Sequence, residues 1–424
     1  MKIKHNLWLL SMIPMLIGIN TYAQDWPQWR GLERNGLSKE SGLNLEWSAK
    51  KPSLLWTFRD AGSGYASPAV AGTTLYCQGS AENQDFVFAL DTQTGALKWK
   101  QNLGDEHVSY QNRGHGPRGS VTMDGDKLYL IRGGGQIHCL LASDGKLLWQ
   151  KDLVQDFGGK MMSDWGYSES PLIDGNLVIC SPGGDEGTLV AFDKNNGYVV
   201  WRTWELLDKS AYSSPIVAQI EGVRQYIQLT EKRVAGIAAK DGKLLWSVEV
   251  PGFRTAVIPT PICVNNTVYV TTGYNVGCLL ITLSKEDDVW RAEEVYANKN
   301  MGNQHGGVVL INGHIYGYSD FSGWVCQNFE TGEAIWSTGR SGEIGIGKGA
   351  VLGVGDRLIC QEERSGLLAV AEASPDGWKE LGRMPFPERT QIVTTDNMVW
   401  THPVVSHGKL YLRDHDLLFC YDLR

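Results

Sequence analysis

The sequence predicts an all-β chain: an eight-bladed β-propeller of four-stranded antiparallel blades, closed by amino- and carboxy-terminal strands that share one blade. Three observations lead there. Tryptophan recurs at Trp56, Trp99, Trp149, Trp201, Trp246, Trp290, Trp336 and Trp378, with spacings of roughly 42 to 52 residues, the range in which self-similarity marks propeller blades or another repeat array. Each interval holds four strand-sized apolar segments and no helical pattern. The two ends of the chain are incomplete in complementary ways.

One unit shows the elements in order. From Ser67 it reads SPAVAGTTLYCQG and then DFVFALDTQTGALKW, ending at Trp99. A small-Pro-apolar start leads to a turn at Gly72, a strand through Leu75 and Tyr76, a second from Val87 to Leu90, the turn TQTG and a short strand closed by Trp. Four strands of about 5 to 6 residues with short turns fill such a period and leave no room for a helix. The grammar recurs at SPLIDGNLVICSPGGDEGTLVAFDKNNGYVVW, SPIVAQIEGVRQYIQLTEKRVAGIAAKDGKLLW and GGVVLINGHIYGYSDFSGWVCQNFETGEAIW. Gly95, Gly145, Gly197, Gly242 and Gly332 stand at the last turn of their units, where a tight hairpin needs positive φ.

At the amino end, LLWTF (residues 54–58) is a last strand without its first three. At the carboxy end, HPVVSHGKLYLRDHDLLFCYDLR supplies three strands and stops. Pairing them makes an eighth blade and removes free sheet edges that invite aggregation. The expected organisation is a signal peptide over residues 1–23, an arm over 24–53 and the propeller over 54–424. The arm segment DWPQWRGLERNGLS is expected to pack over the outside or base of the ring.

The stretches ALDTQTGALKW and AFDKNNGYVVW fit AxDxxxGxxxW, which resembles the tryptophan-docking motif of quinoprotein-type, PQQ-like propellers. That superfamily includes PQQ-dependent alcohol dehydrogenases and the outer-membrane protein assembly factor BamB. Copies drift: with the composite blade counted first, the third has Leu141 in the Asp position, and the sixth ends LSKEDDVW without Gly. The resemblance implies a fold more than a function, since the motif is a packing device. It also implies two activities. PQQ-dependent dehydrogenation would require PQQ with calcium, a vicinal Cys pair, carboxylate and amide calcium ligands and a catalytic Asp, and no two Cys are adjacent in this sequence. The assembly-factor branch implies a non-enzymatic envelope scaffold that binds a protein partner through loops and strand edges.

Lys2 and Lys4, an apolar run from Leu7 to Ile19 and the small-x-small Thr21-Tyr22-Ala23 before Gln24 form a signal peptide, too short and wrongly flanked for a membrane span. The protein is therefore expected in the periplasm or outside the cell, with no lipid-anchor Cys at the cleavage site. A formal net charge of −8 argues against nucleic acid and anionic membrane surfaces. Eight Cys lie about one per blade, as small buried hydrophobes would, without CxxC or Cys/His metal spacing. A monomer is expected.

Propeller geometry sorts the loops by face. Turns such as Gly72, Gly125, Gly175, Gly313 and Gly408 are short and uniform, and hairpin chemistry accounts for them. Links from each outermost strand to the next innermost one are long and polar, and eight blades aim them at one central mouth. His115, Tyr167, Tyr212, His305 and His402 are the candidate proton-transfer groups. Arg118, Trp165, Arg254, Lys348 and Trp400 are the candidate ligand-binding groups. Cationic donors suit a carboxylate or sulfate and indole faces suit a sugar ring, so the expected ligand is a small molecule or an oligosaccharide, an acidic saccharide in particular. Catalysis is left open by the residues. If there is chemistry, His or Tyr would move the proton and Arg or Lys would hold developing negative charge, as in β-elimination.

Overall fold

Eight four-stranded antiparallel sheets follow one another around a ring in the computed structural model, which describes residues 24–108, 115–250, 252 and 255–424. Blade 1 is composite, Ser53–Phe58 outside three strands from residues 404–422; blades 2 to 8 occupy residues 69–105, 122–152, 172–202, 216–249, 262–298, 308–337 and 349–384. No helix occurs among the described residues, and none is long and apolar enough to cross a membrane. The expected signal segment lies outside the described residues.

Closure occurs where the two incomplete ends predict it. Leu54 pairs with Tyr421, Trp56 with Cys420 and Phe58 with Leu418, antiparallel. Every outermost strand carries a one-residue irregularity against its neighbour, as between Leu147 and Trp149. A bulge re-aims the side chain that follows it, and the residue just past the bulge is the one directed at the next blade. In blades 1 to 5 and 7 that residue is Trp: Trp56, Trp99, Trp149, Trp201, Trp246 and Trp336.

Two of the eight periodic tryptophans are not the docking residue. In blade 6 the position past the bulge is Tyr296, whose hydroxyl donates to the Phe329 carbonyl at 2.8 Å and whose ring meets Gly332. Trp290 lies earlier on the same long strand, Val289–Asn298. In blade 8 the equivalent residue is Gly382. Trp47, fully buried, reaches in from the arm to lie over it, while Trp378 precedes the strand.

The cysteines behave as small hydrophobes. None is disulfide-bonded, and all but Cys263 are buried on their strands.

Of the two places expected for the arm, the outside is not the one it takes. It threads the hub. Trp26 exchanges backbone hydrogen bonds with Val70 of blade 2 at 2.8 Å, and Met123 N–H of blade 3 donates to the Pro27 carbonyl at 2.8 Å. Arg34 donates to the Ser170 and Pro171 carbonyls ahead of blade 4 at 2.7 and 3.0 Å. Arg30 donates to the Val308 carbonyl of blade 7. Leu37–Ser38 then adds as a parallel strand to the inner edge of blade 8, Leu37 beside Gly353. A ring of eight blades leaves an axial gap that blade side chains alone do not fill, and this segment's rings and guanidinium groups fill it.

Candidate functional site

The mouth of the ring opens into a cavity of about 270 Å³ lined by the long links of one face. Its walls come from Tyr65 ahead of blade 2, Arg118 ahead of blade 3, Trp165 and Ser168 ahead of blade 4, Tyr212 and Ser214 ahead of blade 5, and Ala256 and Ile258 ahead of blade 6. Gln304 and His305 precede blade 7, and Asp396, Trp400 and His402 precede blade 1. Tyr274 is its contribution from a turn between second and third strands. The floor is Trp29 of the arm, whose indole N–H donates to Thr260 Oγ1 at 2.9 Å. Because the arm occupies the hub, the mouth is a closed well and not a through-channel.

Six of the ten candidate residues meet there: Arg118, Trp165, Tyr212, His305, Trp400 and His402. Tyr167 points the other way, into the packing between blades 3 and 4, with its hydroxyl on the Pro182 carbonyl at 2.8 Å. His115 is not a wall of the cavity; its Nδ1 lies 3.8 Å from Glu106 Oε1. Lys348 stands one layer back, bridging Asp320 at 2.9 Å and donating to Gln304 Oε1, and so fixes the Gln304 amide. Arg254 lies outside the described residues.

Aromatic rings run around the well in sequence. Trp165 faces Tyr212 at 5.9 Å between centroids, Tyr65 faces Trp400 at 5.0 Å, and Trp400 faces His305 at 5.1 Å. His402 meets the floor indole of Trp29 edge-on at 4.7 Å. Such pairs add directional contact to area burial and hold the polar tips in place.

The two cavity imidazoles differ in character. His402 Nε2 lies 2.6 Å from the His305 carbonyl oxygen. A carbonyl only accepts, so Nε2 carries the hydrogen and Nδ1 keeps a lone pair. Burial, aided by the nearby Arg30 cation, presses His402 down to about 3, so this ring is neutral at ordinary pH. His305 Nε2 lies 2.5 Å from Glu363 Oε2, and Trp400 Nε1 donates to the same oxygen at 3.2 Å. Burial works against the Glu363 charge, but the hydrogen bond and charge of His305, with Lys348 and Trp400, outweigh it and hold the carboxyl below its ordinary range. Glu363 is thus an ionised orienting group and His305 presents Nδ1 as its free nitrogen.

Burial also lowers the Arg118 guanidinium, which donates to the Trp165 carbonyl, and pushes the Tyr65 phenol up to about 12. Behind the floor Arg30 is fully buried on the Asn35 and Val308 carbonyls, with no salt-bridge partner among the described residues. The well therefore has one cation behind its base and one in its wall, together with the carboxylates of Asp396 and Glu363.

Trp29 and Asp396 escaped the sequence analysis. The arm carries no repeat signal that would place it at the hub, and Asp396 sits in a long link without a motif. Glu363 follows the second strand of blade 8, and its pairing with His305 spans 58 residues.

The vicinal cysteine pair that the superfamily resemblance implies for a quinone has no counterpart in this sequence. Among the described residues no three His, Cys, Asp or Glu side chains are grouped to hold a metal ion. The cysteines sit apart, on separate strands within the blades.

Comparison with known proteins agrees with the fold. The crystal structure of BamB from Moraxella catarrhalis superposes with a TM-score of 0.60 at 16% identity, covering 88% of this chain and 98% of that one. Quinohemoprotein alcohol dehydrogenase from Comamonas testosteroni superposes with a TM-score of 0.64 at 13% identity, covering 95% and 81%. A europium-containing methanol dehydrogenase gives 0.53 at 14% identity, covering 92% and 89%. At these identities the likeness is one of fold. No curated protein matches the sequence. Residues 83–338, more than half of the chain, match one family throughout, and the chain belongs to that family, described as outer membrane protein assembly factor BamB.

Proposed function

We propose that this chain is an exported propeller whose well binds a small or oligomeric ligand, with an acidic saccharide as the class its groups suit. The observation that carries this is the well itself: a dead-end cavity of about 270 Å³ with indole and phenol walls and the Arg118 cation among them. Sugar rings offer apolar C–H faces to Trp29, Trp165 and Trp400, a carboxylate matches a planar guanidinium, and hydroxyls can donate to His402 Nδ1. Arg30 behind the floor adds attraction for an anion. Residues 1–23 would direct export, and the mature chain recovered from the producing cell's envelope or medium should then begin at Gln24.

Calorimetry and thermal shift with uronate oligosaccharides, set against neutral oligosaccharides of the same length, test the binding. Acidic ligands should raise the melting temperature and neutral ones much less. Trp400→Ala should weaken binding by tenfold or more, as about 1.4 kcal/mol of lost stacking requires, and Arg118→Ala should abolish the preference for acid. Equal shifts with both classes, or none, would remove the proposal.

A second function is favoured by one surface. Val199 and Val200 on the outermost strand of blade 4, with Tyr198 just before it and Trp204 and Leu207 just beyond, are exposed apolar residues at a sheet edge. An extended segment of an envelope protein could add there, as the family's description suggests. Val200→Lys and Trp204→Ala would weaken that association without touching the well.

A further inference from the structure

His305, Glu363 and Trp400 form a unit that binding alone does not require. Glu363 accepts from both His305 Nε2 at 2.5 Å and Trp400 Nε1 at 3.2 Å, and the imidazole lines the cavity and keeps 19% of its side chain exposed. A ring fixed in one tautomer by an ionised carboxylate is the arrangement that lets an imidazole accept a proton and be stabilised once charged. His402 is no substitute, because Arg30 and burial keep it from charging.

Building on the acidic-saccharide reading above, we infer that the well is catalytic, and that His305 Nδ1 is the general base of a β-elimination that cleaves a uronate-containing chain. The remaining parts surround it. Tyr65 meets Trp400 at 5.0 Å and Trp400 meets His305 at 5.1 Å, each pair tilted. One wall of the well therefore runs from phenol to indole to imidazole, and Arg118 lines the same well.

With the sugar carboxylate on Arg118, the neighbouring C–H becomes more acidic because the charge that develops on the carboxylate is already countered. Nδ1 takes that proton, and the C–H electron pair forms the second bond of a carbon–carbon double bond. The β carbon–oxygen bond breaks with its pair on oxygen, and that oxygen takes a proton from solvent water. The imidazolium then returns its proton to the hydroxide so formed. One chain becomes two, one with an unsaturated end, and no oxidant, water or cofactor is consumed. Glu363 does not touch the sugar; it is a positioning residue.

The test uses the mature chain with polygalacturonate, alginate and hyaluronan as probes, following the ultraviolet absorbance of the unsaturated carboxylate and measuring binding to the same probes by calorimetry. Absorbance should rise with at least one probe. His305→Ala should reduce the rate by about 10²-fold or more while affinity changes by no more than a few-fold. Glu363→Gln should lower kcat by about tenfold or more while KM changes by no more than a few-fold, the split expected of a residue that positions the base and does not touch the sugar. A probe that binds but yields no unsaturated product, or a His305→Ala rate equal to wild type, would overturn the catalytic inference and leave binding intact. If no probe binds, the saccharide reading fails and the inference with it.

Discussion

Trp201 of blade 4 rests on Gly242 of blade 5, and its indole N–H donates to the Ala239 carbonyl of the same turn at 3.2 Å. The contact repeats from Trp56 to Gly95, Trp99 to Gly145 and Trp149 to Gly197, with N–H donation to the carbonyls of Thr92, Ala142 and Lys194 at 3.2, 3.1 and 3.0 Å. Blades 1 to 4 thus each grip the last hairpin of the next, whereas the Trp246 indole of blade 5 donates to Gln225 of its own blade at 2.6 Å. A glycine is needed there twice over: its φ is +74° at Gly242, and a Cβ would stand 2.4 Å from the Trp201 ring.

Gly242→Ala should therefore destabilise the protein by about 2–3 kcal/mol, combining backbone strain with displacement of a packed ring. Urea unfolding measures it. A loss smaller than about 0.5 kcal/mol would mean that the blades are not held by these contacts.

Arg30 has a different kind of leverage. Its guanidinium is the partner of the Asn35 and Val308 carbonyls in the hub, and Gly307 lies against it too closely for any side chain. Arg30→Ala leaves those carbonyls buried and unpaired beside a void. A cost of about 2–4 kcal/mol is expected, read as a lower urea midpoint. Arg59→Ala, which removes only a surface pair with Glu388, should change it little.

Buried imidazoles set the acid limit of stability. Burial pushes His138 down to about 4 and His402 and His415 down to about 3, whereas in the unfolded chain each charges near its ordinary value of about 6.5. Below that pH the unfolded state binds protons the native state refuses. The contribution is whole above about 6.5 and is lost as pH falls. Stability should decline steadily from pH 6.5 toward 4, and His415→Gln should flatten the decline by about 1.4 kcal/mol per pH unit, the slope of one proton.

Glu169 acts in the opposite direction. Buried ahead of blade 4, it accepts from Ser181 N–H at 2.6 Å and from the Ser181 hydroxyl, yet burial outweighs these bonds and the Arg34 charge and raises it to about 7. The native chain holds a proton there that the unfolded chain has released, so the contribution is whole below about 4.3 and lost as pH rises to about 7. Glu169→Gln keeps the neutral shape. It should match the wild type near pH 4 and exceed it by on the order of 2–3 kcal/mol at pH 8; parity at both pH values would contradict a protonated native carboxyl.

The ring was legible in the sequence because its period is enforced by one large residue per blade and by hairpin glycines, both of which act locally. The misplacements follow from the same physics. Trp290 and Trp378 keep the period, but the residue past the bulge decides which side chain docks, and a bulge leaves no mark in composition. Tyr296 and the Gly382–Trp47 pair therefore went unseen. In the site, chain order showed that His305, His402, Trp400, Arg118, Trp165 and Tyr212 precede innermost strands and so face the mouth. It did not show that Tyr167, two residues past Trp165, turns inward between blades, nor that Trp29 closes the floor. Those depend on contacts between distant segments, for which no periodicity exists.

The hub segment leaves the ribosome before any blade, yet its hydrogen-bond partners include Val308 and Gly353, which are made near the end of translation. Its rings and guanidinium groups must stay unsatisfied until the last sheets arrive, and sheet 1 waits for the final strand as well. Such distant pairings place maturation among slow, topology-limited processes. A growing chain released early would expose the tryptophans and the buried arginines of this segment together, which is the state that folding helpers in the cell would meet.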